Sequence, residues 1–133
     1  MYRVTRELDF CYGHRLLGHP GKCAHLHGHN ARLVLTLEAS DLDGLGMVAD
    51  FHSIRTQVGA WIDATLDHRM ILHREDPALP ALRDLGEPVF VLDVNPTAEN
   101  LARLVYEQAE RAGLPIVRVD LWETATCMAS YGS

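Results

Sequence analysis

The stretch that decides the fold is Ala31-Arg32-Leu33-Val34-Leu35-Thr36-Leu37-Glu38-Ala39. Leu33, Leu35 and Leu37 fall on one side of an extended chain, and Arg32, Thr36 and Glu38 on the other. Two-residue alternation of this kind puts one face on a core and leaves the other polar, the habit of an antiparallel sheet. Upstream, residues 2–11 are rich in branched and aromatic types and place Val4, Leu8 and Phe10 on one face, so a strand precedes this one. The segment from Gly13 to His29, dense in glycine and histidine, reads as loop at its centre. Downstream, Asp41–Gly46 carries turn chemistry.

From Asp50 the apolar period lengthens. Phe51, Ile54, Val58, Trp61, Ile62 and Leu66 follow helical spacing, with Asp50 as the N-cap. Residues 73–88, with three prolines and several charges, read as a connection, and Val89–Leu92 as a short strand. Asn95-Pro96-Thr97 starts a second helix, Leu101, Leu104, Val105 and Ala112 mark its apolar stripe, and Gly113 ends it. Ile116–Glu123 is a long strand and Cys127–Tyr131 its short partner. The expected fold is α+β, in the order β-β-α-α-β-β: a four-stranded antiparallel sheet with two helices on one face. Such a sheet leaves its edges free for assembly with further copies.

Composition bounds the function. The 133 residues suit one domain spanning 1–133, and no apolar run reaches the roughly 18 residues of a membrane span. Eighteen acidic against twelve basic residues leave a net charge of −6, so no basic field invites nucleic acid or an anionic membrane. The start, MYRVTRELDF, lacks the apolar segment of a signal peptide. Three separated cysteines, Cys11, Cys23 and Cys127, form no disulfide framework. A cytoplasmic protein with free thiols is the expectation.

The chemistry-bearing residues cluster. Five of the eight histidines lie between His14 and His29. In His27-Gly28-His29, two imidazoles one residue apart point the same way on an extended backbone, and neutral imidazole suits zinc. His14, at the end of the preceding strand, completes a three-nitrogen set if the two strands form a hairpin. Three protein ligands leave a fourth position for water or substrate, the catalytic kind of zinc site. Solvated loop histidines, a closed structural site with Cys23 as fourth ligand, and replacement of one ligand by His25 are the competing readings. Cys23, next to Lys22, is a candidate base, since a nearby cation favours thiolate. Asp67-His68 pairs a carboxylate with an imidazole, which makes a proton relay if the chain brings it to Cys23. Glu123, at a strand end, and Thr97 and Glu99, at a helix start, are candidate ligand contacts; capping is the plainer role for the last two.

Taken together these blocks resemble the 6-pyruvoyltetrahydropterin synthase/6-carboxytetrahydropterin synthase family. Phe10-Cys11-Tyr12-Gly13-His14-Arg15-Leu16 is similar to its F-x-A-A-H-x-L opening, with Tyr12-Gly13 in place of the usual small pair. Cys23 to His29 is similar to its C-x-x-x-H-G-H signature. Gly46–Phe51, Leu66–His68, Pro96–Asn100 and Trp122–Thr124 follow in the family's order, so the resemblance covers essentially the whole chain.

The resemblance implies the tunnelling fold, in which β-β-α-α-β-β subunits join their sheets into a trimeric barrel, usually paired into hexamers, with active sites between subunits. It implies catalytic zinc on His14, His27 and His29, Cys23 as general base, and Asp67 with His68 as relay. It implies a pterin ring anchored by Glu123 with Thr97 and Glu99 nearby, and Lys22 and Arg15 are the cations available for a triphosphate. The four-residue step from Cys23 to His27 resembles the 6-carboxytetrahydropterin synthases of queuosine and deazapurine biosynthesis. The implied reaction converts 7,8-dihydroneopterin triphosphate to 6-carboxytetrahydropterin, acetaldehyde and triphosphate. A pyruvoyl-forming synthase, and a non-catalytic zinc- and pterin-binding oligomer, are the alternatives.

Overall fold

The structure, a computed structural model, describes residues 1–133. Strands β1 (Tyr2–His14) and β2 (His27–Ala39) form a long antiparallel hairpin in continuous register, from Tyr2 opposite Ala39 to His14 opposite His27. Both strands outrun the expectation. The loop shrinks to residues 15–26, and His27-Gly28-His29 belongs to β2.

Helix α1 (Phe51–Ile54), a π-helical turn (Arg55–Gly59) and α2 (Ala60–Thr65) follow one another, with the Asp50 carboxylate accepting from the His52 N–H at 2.8 Å as the cap. Strand β3 (Arg69–His73), helix α3 (Ala78–Asp84) and β4 (Val89–Leu92) come next, then α4 (Ala98–Arg111), β5 (Ile116–Trp122) and β6 (Met128–Gly132). Thr97 caps α4 through a bond from the Asn100 N–H, and Gly113 ends it with φ 79°.

The four-stranded antiparallel sheet is corrected to a mixed sheet of six, in the order β4-β3-β1-β2-β5-β6. β3 runs parallel to the end of β1, and β4 parallel to β3; the remaining pairs are antiparallel. Parallel strands covered on both faces lose the alternating pattern, which is why Arg69–His73 escapes detection. Part of the stretch read as a connection is the short helix α3.

One face of this sheet carries the core. Leu8, Phe10 and Tyr12 of β1, Leu33, Leu35 and Leu37 of β2, and Val119 and Leu121 of β5 pack against Ile54, Val58, Ile62 and Leu66, and against Leu101, Ala102, Val105 and Ala109 of α4. Burying each such leucine contributes about 1.5–3 kcal/mol. No helix is long and apolar enough to cross a membrane.

A candidate metal centre and the pocket around it

The apolar row of β1 runs Leu8, Phe10, Tyr12 and ends at His14; that of β2 runs Leu37, Leu35, Leu33, Ala31 and ends at His29 and His27. Strand parity therefore carries all three histidines on the core face, where the hydrophobic stripe meets the end of the hairpin. His14 is 3% exposed. Its Nε2 lies 2.9 Å from His27 Nε2 and 3.2 Å from His29 Nε2.

The partners of the other ring nitrogens fix what those contacts are. His14 Nδ1 donates to the Pro96 carbonyl and His27 Nδ1 to the His25 carbonyl, each at 2.7 Å. A carbonyl only accepts, so Nδ1 carries the proton in each ring, and the neutral tautomer with that proton has its lone pair on Nε2. Burial, chiefly, holds the His14 imidazole below its ordinary range, and the two neighbouring histidines act the same way against the opposing pull of Pro96 and Glu123. A shared cation satisfies lone pairs aimed at one point, and carbonyl-locked imidazoles are the usual support of zinc ligands. The donor set fits zinc. His25 gives the centre its backbone carbonyl, not its ring.

The residue before Pro96 is itself tied to the end of β1. The Asn95 side chain accepts from the Leu17 N–H at 2.9 Å and donates to the Leu17 carbonyl at 3.0 Å, clasping the chain just after His14. Sequence reading passes over this support because its partners lie 78 residues apart.

Cys23 sits on a 3-10 turn, Lys22–Ala24, tied down by the Leu16 N–H to the Cys23 carbonyl at 2.8 Å. It shares a cavity of about 180 Å³ with the three histidines, Thr97, Glu99 and Glu123. The Glu123 carboxylate lies 3.9 Å from His14 Nε2 and from His29 Nε2, and accepts the Tyr12 hydroxyl at 3.1 Å. Burial and then the Glu123 charge hold the Tyr12 phenol well above its ordinary range, so it stays a donor. Tyr12 is thus a buried brace for Glu123.

Asp67 and His68 lie elsewhere. Cys11 is out of step with Tyr12 and faces the opposite side of the sheet, and Asp67-His68 gather around Cys11. The Cys11 N–H donates to Asp67 Oδ1 at 3.0 Å, and Asp67 Oδ2 pairs with His68 Nδ1 at 2.8 Å. Burial raises the Asp67 carboxyl, but these bonds outweigh it and hold it below the usual carboxylate range. His68 adopts φ 58°, its N–H bonded to the Cys11 carbonyl at 2.7 Å, and its side chain is 77% exposed. Within one chain, Cys23 and the Asp67–His68 pair line different cavities.

The two expected phosphate cations part company. Arg15 is bound through Nε to Asp76 Oδ2 at 2.7 Å and through a terminal nitrogen to Asp76 Oδ1, and Asp76 is buried. Lys22 is exposed. Arg15 is thus a structural anchor in this chain, for a reason local sequence cannot carry: its partner is 61 residues away.

Comparison with known proteins places the chain among relatives by sequence and by fold. The family described as 6-pyruvoyl tetrahydropterin synthase matches residues 3–133. A 6-carboxy-5,6,7,8-tetrahydropterin synthase of Rickettsia bellii is 37% identical over 96% of this chain and 97% of its own length. That of Rickettsia typhi is 43% identical over 77% of this chain and 75% of its own. Among solved structures, an uncharacterized protein from Wolinella succinogenes superposes with a TM-score of 0.83 at 26% identity, over 99% of this chain and 98% of that one. The Caenorhabditis elegans 6-pyruvoyl tetrahydropterin synthase shares the fold, with a TM-score of 0.73 at 22% identity over 99% of this chain and 95% of that one. With sequence and fold matched along nearly its full length, the chain belongs to the 6-pyruvoyl tetrahydropterin synthase family.

Proposed function

We propose that the protein is a zinc-dependent 6-carboxy-5,6,7,8-tetrahydropterin synthase acting on 7,8-dihydroneopterin triphosphate. The observation that carries the proposal is the cavity in which three convergent imidazoles share space with a thiol and a carboxylate. The names of the full-length relatives choose the carboxy-forming activity within the family.

His14, His27 and His29 hold the zinc. When bound, it draws charge from the substrate's side-chain oxygens and makes the adjacent C–H more acidic. Cys23, as thiolate, takes that proton. Glu123, braced by Tyr12, accepts N–H bonds from the pterin edge, with Thr97 and Glu99 bordering the ring. Lys22 receives the triphosphate, since Arg15 is engaged by Asp76.

The relay completes the site from a second copy. Asp67 orients His68, and the exposed imidazole serves Cys23 of a neighbouring subunit. The free edges of β4 and β6 support an assembly in which sheets join edge to edge into a trimer, with pairing into a hexamer.

Incubation with 7,8-dihydroneopterin triphosphate tests the reading. Acetaldehyde and a carboxypterin in equal amounts are expected. A pyruvoyl pterin without acetaldehyde overturns the carboxy-forming assignment, and pterin binding without turnover overturns the enzyme.

A further inference from the structure

The geometry points to a second metal site, formed by Cys11, Asp67 and His68 on the face of the sheet opposite the three histidines, which takes a borderline-soft divalent cation of the zinc type. One sulfur, one imidazole nitrogen and one carboxylate oxygen lie within 4.8 Å of one another. Cys11 Sγ is 3.4 Å from either ring nitrogen of His68, and Asp67 Oδ2 is 2.8 Å from His68 Nδ1. Thiolate, imidazole and carboxylate together are a donor set for zinc, whose bonds to them run about 2.0–2.3 Å. A cation between these atoms needs only small rotations of the three side chains.

The backbone prepares the set. Asp67 is fixed to the Cys11 N–H and the His68 N–H to the Cys11 carbonyl, so three donors from two segments are held together before any ion arrives. The His68 side chain is exposed, and both Cys11 and His68 border an open groove of about 540 Å³ that gives an ion its way in.

Binding here does not depend on the reaction proposed above; its effect on turnover does. If His68 relays protons, an ion ligated by its ring stops the relay, so zinc in excess of the first equivalent is inhibitory.

Metal-free protein titrated with Co²⁺ is expected to take up two ions per chain. In a Cys23→Ser background, which removes the thiol beside the three histidines, the second ion is expected to bring a sulfur-to-cobalt charge-transfer band in the near ultraviolet. Adding Cys11→Ser is expected to abolish the band and leave one ion per chain, the retained three-histidine ion serving as the check on folding. His68→Ala is expected to weaken the second ion by about tenfold or more while sparing the first. Uptake of one ion by the wild type, or a band that survives loss of Cys11, overturns the site. In turnover, a second equivalent of zinc is expected to inhibit the wild type and spare Cys11→Ser; equal inhibition of both overturns the inhibitory role.

Discussion

His14 and His27 stand opposite each other in the β1–β2 ladder, and their Nε2 atoms are 2.9 Å apart. Each ring donates from Nδ1 to a carbonyl, so the pair is fixed by the ladder and two backbone oxygens, that of Pro96 and that of His25 in the loop between the strands.

Removing one of these ligands is expected to remove the ion and leave the fold. His27→Ala should weaken zinc by at least about 100-fold, read by competition with a chromophoric chelator. Chelation of the wild type should abolish turnover with the circular dichroism unchanged, because a core of 20 buried residues forms beside the centre. Unfolding on chelation would make the site structural.

Cys23→Ala is expected to lower turnover by more than about 100-fold with zinc content intact. His68→Ala should be similarly impaired. Since Cys23 and His68 line different cavities of one chain, co-refolded mixtures of the two inactive variants should regain activity, in roughly a quarter of sites if subunits mix at random. No recovery in verified mixed oligomers would place the relay within one chain.

Gly28 sits between His27 and His29, opposite Gly13. A Cβ there would meet the Tyr12 carbonyl oxygen at 2.9 Å, a backbone atom that cannot turn aside. Gly28→Ala is expected to destabilise by about 1–3 kcal/mol and to weaken zinc by displacing His27 and His29, measured by urea unfolding and metal competition.

Asp76 gives a pH signature. Hydrogen bonds from Arg15, over the opposing effect of burial, hold its carboxyl below the ordinary range. A depressed folded-state pKa contributes stability above the unfolded value near 4 and loses it as pH falls through the folded value. Asp76→Asn is expected to cost about 3 kcal/mol at neutral pH, with the gap to the wild type narrowing below about pH 4 in denaturant titrations.

Alternation made β2 and its core face legible, and helical spacing made the helices packed on it legible, because both are local rhythms of the chain. The H-x-H pair was legible for the same reason, since both of its imidazoles fall on one face of the strand. What escaped was non-local. β3 has meaning only beside the end of β1, Arg15 meets its partner far along the chain, and the Asp67–His68 pair lands by Cys11 because the return from α2 meets β1 on the face that residue presents. Neighbours in sequence such as Cys11 and Tyr12 serve opposite faces, and only a paired strand says which is which.

Because the ladder places the three imidazoles, and of the loop only the His25 carbonyl bonds to their rings, the stretch between Leu17 and Cys23 is free to change length. An insertion before Cys23 leaves the ligands standing and shifts only where the sulfur reaches, whereas one added residue inside β1 or β2 would turn a ligand out to the opposite side. The crossing segment therefore sets where the thiol stands against a fixed trio of imidazoles, and its length alone can move one without the other.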